Sequence, residues 1–177
     1  MSVIFSGSGN PVTIGGVDYG YTLTLMTPQA STSGTVIDFT GIPAWARRIT
    51  VMFNGVSTNA TTNIIIQIGP SSGVETTGYL GACQTNGAGI NDNATNLGFD
   101  VFELGVATYA ASGHCVLTLL DSSTNTWAAS SIMAHSSRLV YMGGAKPITG
   151  GVLSRIRITS TAGTAVFDAG SINVMYE

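Results

Sequence analysis

The sequence predicts an all-β fold: a single antiparallel sandwich, jelly-roll-like, with a short N-terminal arm. Apolar residues recur with a period of two in many short runs, and clusters of Gly, Asn, Ser, Thr and Asp separate these runs about every ten residues. The chain has 177 residues, of which 44% are hydrophobic and only 8% are charged, and it contains 23 glycines. This length suits one domain with a substantial core, and the many turn-forming residues argue against long amphipathic helices.

The first part of the chain is weakly patterned. Residues 1–35 are rich in Gly and Ser, and short strands are predicted at 3–5, 12–14 and 19–25. We expect residues 1–35 to form an arm that attaches the chain to other components, and residues 36–177 to form the sandwich.

Three later runs alternate apolar and polar side chains, as a half-buried strand does: residues 49–53, 155–159 and 171–176. In the second run, Ile156 and Ile158 should face the core while the neighbouring arginines face water. Weaker strand candidates lie at 36–39, 77–82, 99–104, 127–133 and 139–142.

Two runs, residues 64–68 and 115–120, are apolar almost throughout and are predicted to be strands buried on both faces. One helical turn is expected at 42–47, because proline suits its first position. The Asn54-Gly55 pair indicates either a two-residue hairpin turn or a bulge within a longer strand.

Composition limits the classes of partner. The chain has six Lys and Arg residues and nine Asp and Glu residues, for a net charge of −3. This is too few basic residues for a broad phosphate-binding surface, so we expect no nucleic-acid partner. The longest uncharged stretches are interrupted by Asn, Ser, Thr and Gly, so no membrane insertion is expected, and the first ten residues lack the pattern of a secretory signal.

The search for catalytic, metal-binding and cofactor-binding patterns predicts none. His114 and Cys115 are adjacent on a predicted strand and should therefore point to opposite faces. Asp100 and Glu103 should likewise lie on opposite faces as two solvated acids near a strand end. Whether Cys83 and Cys115 are paired stays open, because two cysteines make no disulfide framework.

The scarcity of charge predicts self-association. Soluble β-proteins usually protect strand edges with charged residues, proline or bulges, and few such residues are available here. Charge is also segregated, with five acids and no base between residues 75 and 121, and four bases and no acid between 138 and 157. Edges and apolar faces are therefore expected to be covered by other subunits.

Three blocks of the sequence resemble a known family. FTGIPAWARRITVMFNGVS at 39–57, TTGYLG at 76–81 and FDAGSINVMYE at 167–177 are similar, in that order, to segments recurrent in bacteriophage tail-fibre and related virion proteins. The resemblance covers roughly residues 35–177. It implies a β-rich, trimeric and non-enzymatic protein at the virion surface, where such proteins contact the host envelope.

The resemblance implies a short tail fibre or tail-tip adhesin that assembles into virions in the bacterial host cytoplasm. A capsid decoration or another purely structural virion component is the alternative, and a glycan-degrading tailspike enzyme is less favoured. We expect a homotrimer that contacts other virion proteins through its N-terminal arm. The number three comes from the resemblance alone.

A host glycan or protein would be bound by aromatic side chains exposed in loops, since sugars stack on aromatic rings. Tyr79, Tyr109 and Trp127 are the candidates, each beside small polar residues. Packing in the core is the competing interpretation for all three.

Overall fold

A computed structural model describes residues 23–86, 96–136 and 138–177 in full, and before them the backbone of three short strands. These are β1 (Val3–Ile4), β2 (Val12–Ile14) and β3 (Val17–Tyr19), which form an antiparallel sheet of their own in the order β1-β2-β3. Short strands had been predicted in this region, at 3–5 and 12–14 among others.

The other strands form two further antiparallel sheets. In chain order they are β4 (Thr24–Leu25), β5 (Gln29–Ala30), β6 (Val36–Thr40), β7 (Arg48–Thr58), β8 (Thr62–Gly69), β9 (Leu80–Thr85), β10 (Phe99–Leu104), β11 (Ala111–Asp121), β12 (Thr126–His135), β13 (Arg138–Pro147), β14 (Arg155–Ser160) and β15 (Phe167–Tyr176). The large sheet has eight strands in the order β4-β15-β7-β11-β12-β13-β9, with β5 also pairing with β15. The small sheet has four, in the order β10-β8-β14-β6.

The predicted fold class, an all-β sandwich, is confirmed. The two sheets pack against each other around one hydrophobic core, to which both contribute. The described part of the chain contains no α-helix, and so no helix long and apolar enough to cross a bilayer.

The predicted phase of the strands is also confirmed. Ile156 and Ile158 on β14 are fully buried, and Arg155 and Arg157 are less so. Ile49, Val51 and Phe53 on β7 and Ile172 and Val174 on β15 point into the same core.

Strand β8 is buried on both of its faces, as predicted. Ile64, Ile66 and Ile68 face the core, and the alternate side chains Ile65 and Gln67 are buried as well. The chain at residue 98 covers the outer side: a Cβ added to Gly98 would lie 2.9 Å from the Cβ of Ile65. Gln67 is held by a hydrogen bond from its Nε2 to the carbonyl oxygen of Leu97 (2.9 Å).

The corresponding prediction for residues 115–120 is wrong. Within this run only Cys115 and Leu117 are fully buried, whereas Thr118 and Leu120 are exposed. The reason is the position of β11 in the large sheet, whose outer face carries no second layer within the described residues. An apolar run is therefore not enough to tell two-sided from one-sided burial.

Asn54-Gly55 forms a bulge, not a hairpin turn. Strand β7 continues to Thr58, and its register with β11 and β15 shifts at this point. Gly55 (φ 63°) and Gly170 (φ 92°) both adopt left-handed backbone conformations. A Cβ on Gly170 would lie 2.4 Å from the Gly55 carbonyl oxygen, so this close approach of the two strands requires glycine at position 170.

Residues 24–30 and the end of the chain meet at one edge of the large sheet. Strands β4 and β5 pair with β15, so part of the segment predicted to be an arm extends this sheet. A hydrogen-bonded turn replaces the helical turn expected at 42–47, with the Ala46 N–H donating to the Pro43 carbonyl (3.0 Å). Trp45 in this turn packs edge-on against Tyr176 at 5.5 Å.

Truncation of Ile158 tests the core register. Ile158→Ala should lower the free energy of unfolding by about 2–5 kcal/mol, because it leaves a cavity in the core. Val36→Ala is the matched control on the same sheet: Val36 is 43% exposed, so its loss should cost under about 1 kcal/mol. Denaturant titration followed by circular dichroism measures both, and equal costs for the two variants would contradict the register.

Candidate functional site

The predicted ligand-binding residue Tyr79 lies in the core. Its ring is 2% exposed and packs edge-on against Phe99, with centroids 5.0 Å apart. The Tyr79 hydroxyl accepts a hydrogen bond from the Ile68 N–H (2.7 Å) and donates to the Glu75 carbonyl oxygen (2.8 Å). Burial and these contacts fix the position of the 70–79 loop, which is a structural role.

Trp127 lies near the start of β12, and Tyr109 lies beside His135 at the end of that strand. Trp127 is 2% exposed and lines a cavity of about 170 Å³, and its Nε1 has no hydrogen-bond partner within the described part of the chain. Tyr109 is half-buried, with its ring 5.4 Å from that of His135. Trp127 and His135 are separated by about 27 Å along the strand, so the candidate rings do not form one site.

A stacking site requires exposed rings, and the prediction that the rings of Tyr79 and Trp127 are exposed is therefore wrong. As residues that bind a host ligand, all three candidates stay a prediction.

An ion pair between Glu75 and Lys146 holds the 70–79 loop to the end of β13. The two side chains are 18% and 5% exposed. The Glu75 carboxylate also accepts hydrogen bonds from the Thr149 N–H (2.7 Å) and the Gly150 N–H (3.1 Å). Burial alone would raise the pKa of Glu75, but these donors outweigh it and lower the pKa below 4.5. The acidic and basic stretches of the sequence therefore meet within the chain at this point.

Asp100 corrects the prediction of two solvated acids. It is 4% exposed, with Oδ2 accepting from Asn63 Nδ2 (2.7 Å) and Oδ1 without a partner among the described residues. A bulge between Asp100 and Phe102 pairs Asp100 with Ile65 and Glu103 with Asn63, so both acids lie on the same face of the small sheet. Burial, in spite of the hydrogen bond from Asn63, raises the pKa of Asp100 to about 7.

The cysteines are buried free thiols. Burial raises the pKa of Cys83 to about 12, helped by the nearby Asp100, and raises that of Cys115 to about 12. The register places Cys83 and Cys115 in one row of the large sheet with two strands between them, about 14 Å apart. A disulfide cannot span that distance. His114 and Cys115 point to opposite faces, as predicted, because His114 is exposed and Cys115 is buried.

The outer face of the large sheet is the most distinctive surface; we call it the open face. Two adjacent rows of side chains cross it from β7 to β13 and β9. Long side chains form the first row, the ridge: Met52, His114, Ile132 and Tyr141. Shorter ones form the second row, the trough: Thr50, Val116, Ser130, Gly143 and Ala82.

The open face is apolar and partly exposed. Ile132 is 42% exposed and Tyr141 44%, and at the margins Leu25 reaches 59% and Leu80 72%. At the β7 and β11 end of the two rows, an open depression of about 530 Å³ is lined by Met175, by the ridge residues Met52 and His114 and by the trough residues Thr50 and Val116. The charged pair Arg48 and Glu177 sits at one end of this face, with Nη1 and Oε1 3.6 Å apart.

The outer face of the small sheet is polar. Arg157 donates two hydrogen bonds to the Asp38 carboxylate, both of 2.7 Å, and Arg155 donates to the Ser71 carbonyl (2.9 Å). Beside them is an open groove of about 360 Å³, lined mainly by polar residues of β8, β14 and the turn that follows β14. Hydroxyl groups and a guanidinium group therefore line this side of the molecule.

Comparison of the chain with protein-family models, with curated proteins and with solved structures gives no match. In the part of the chain that is described, no three His, Cys, Asp or Glu side chains are grouped as metal ligands would be. The surface geometry itself is therefore the guide to function.

Sequence reasoning missed the open face because its residues are not neighbours in the sequence. Met52, Ile132 and Tyr141 come from different strands, and only the register brings them into one row. The outward positions of the predicted strands carried the signal, since Met52 lies between the core residues Val51 and Phe53.

The Asp100 carboxyl should make stability depend on pH. Its folded-state pKa of about 7 exceeds its ordinary value of 3.8, so the folded state binds the proton more tightly and the free energy of unfolding falls as pH rises between these values, by at most ~4 kcal/mol. Asp100→Asn should remove most of this fall, whereas Asp168→Asn, at an exposed site, should leave it unchanged. Urea unfolding from pH 4 to 8 measures the difference, and parallel curves for wild type and Asp100→Asn would contradict the assignment.

Proposed function

We propose that the chain is a non-enzymatic subunit of a bacteriophage virion, present in several copies as part of a short tail fibre or tail tip. The observation that carries this proposal is the contrast between the outer faces of the sandwich. One is broad, exposes large apolar side chains and carries one ion pair, Arg48 with Glu177, at its end. The other is polar and carries Arg155 and the Arg157–Asp38 pair across its strands. A subunit that packs against other subunits on one side and faces solvent on the other has this distribution of side chains.

The apolar side supports assembly as the main role. Monomeric proteins rarely expose contiguous apolar patches larger than a few hundred Å², and large side chains such as Leu80 and Ile132 are exposed on the open face. The homotrimer implied by the resemblance, and contacts to other virion proteins through residues 1–35, belong to the same proposal. A capsid decoration would have the same needs and is the alternative location.

Contact with the host is the second role we propose. On the side opposite the open face, the groove on the small sheet offers the side chains of Thr76 and Thr161 beside the Arg157 guanidinium group, which is paired with Asp38. Such groups bind the hydroxyls of a host-surface glycan or the polar groups of a protein. Tyr79 and Trp127 are buried, so they contribute no stacking surface in this conformation.

A glycan-degrading enzyme is less favoured. Asp100 has the raised pKa that a general acid needs, but its carboxyl is 4% exposed and packed against Asn63 and Cys83. A polysaccharide cannot reach it in this conformation.

Labelling of particles tests the virion role. The chain, carrying a peptide tag, should co-purify with phage particles and bind gold-labelled antibody at the tail in several copies. Label on the head instead would select the decoration role. Particles without the tagged chain would contradict a virion function, and release of reducing sugar from host polysaccharide by the wild type but not by Asp100→Asn would contradict a non-enzymatic one.

A further inference from the structure

We propose that the open face binds the open face of a second copy of this chain, with the ridge of one copy lying along the trough of the other. This inference rests on the proposed function, because it identifies the partner that covers the apolar side of the subunit. It follows from the area, the shape and the charge of the face.

The area of the open face suits a specific interface. The six strands from β15 to β9 lie about 4.8 Å apart and carry up to four rows of outward side chains about 6.8 Å apart, which gives a face of about 24 Å by 20 Å, or roughly 480 Å² in plan. Specific interfaces bury roughly 800 Å² of accessible surface per partner, and the accessible area of a corrugated face exceeds its plan area. One copy therefore offers an area of the same order as a specific interface buries.

The shape is self-complementary. Ile132 and Tyr141 project from the ridge, whereas Met52 lines the depression, and the next row is low at Ser130 and Gly143, where the side chains are small or absent. Two such faces packed with their strands roughly aligned can place each ridge in the facing trough, as the inner faces of two sheets interdigitate. The arrangement suits a two-fold pair, and equally a closed ring in which each ridge meets the trough of the next copy.

The charge of the face suits a like partner. Arg48 and Glu177 neutralise each other at one end, and no other Lys, Arg, Asp or Glu lies in the ridge or the trough. A second copy therefore meets no like-charge repulsion and buries no unpaired charge at the centre. A nucleic acid or a strongly charged protein would find no complementary charge here.

A lysine placed in the ridge tests the proposal. Ile132→Lys puts a charge at the centre of the interface and should raise the dissociation constant of the full-length oligomer at least tenfold. Val36→Lys is the matched control, because Val36 is 43% exposed against 42% for Ile132 and lies on the outer face of the other sheet. Light scattering after gel filtration gives the masses, and circular dichroism shows that both variants are folded.

Cross-linking keeps the test decisive if Ile132→Lys does not fold. Tyr141→Cys protein mixed with Ser130→Cys protein should form a disulfide between copies on mild oxidation, because ridge and trough meet. Val36→Cys mixed with Ser130→Cys should not. The native thiols of Cys83 and Cys115 are buried and stay out of the reaction.

Three results would overturn the proposal: a monomeric wild type at tens of micromolar, an oligomer that Val36→Lys disrupts and Ile132→Lys does not, or cross-linking through position 36 alone. Each is distinct from failure of the proposed function. An oligomer formed through the open face but missing from particles would refute the virion role and leave the interface standing, whereas a chain present in particles but monomeric in solution would refute the interface alone.

Discussion

The structure depends on the packing of the small sheet against the inner face of the large one. Strand β8 is the centre of this contact, because its side chains are buried on both faces and Ile64, Ile66 and Ile68 fill the core. A sheet has two faces, however, and the small sheet can cover only one face of the large sheet. The apolar outer face of the large sheet follows from that geometry, together with a sequence that places Met52, Ile132 and Tyr141 outward.

Few charges are available, and ion pairs use several of them within the chain. Glu75 with Lys146 and Asp38 with Arg157 join segments far apart in the sequence, and Arg48 with Glu177 joins the start of β7 to the chain end. The first of these pairs is largely buried, where removal of one partner leaves an unpaired charge. These charges serve the fold and the small-sheet side, and the open face keeps only one neutralised pair. Because the fold uses most of its ion pairs elsewhere, the open face has few charges to oppose contact with another subunit.

Much of the fold could be predicted from the period-two pattern, because alternation determines which side chains face the core; the burial of Ile156, Ile158 and Ile172 was predictable for this reason. The exposure of Leu120 was not, since an apolar run does not reveal which sheet the strand joins. A bulge after Asp100 puts Glu103 on the same face as Asp100, opposite to the predicted arrangement, and local sequence gives no signal for it. The open face depends on register across strands that are distant in the sequence. The sequence could therefore indicate that other subunits cover an apolar face, but not which face of which sheet.

The accessibility of Tyr141 in the native protein tests the central claim, that the open face is covered by another copy, most directly. Hydroxyl-radical footprinting over a concentration series compares Tyr141, 44% exposed in one chain, with Val36, which is 43% exposed and lies on the outer face of the small sheet. Labelling of Tyr141 should fall as the protein is concentrated from nanomolar to micromolar, while labelling of Val36 stays constant. Labelling of Tyr141 that does not change with concentration, in a protein that remains monomeric, would contradict the central claim.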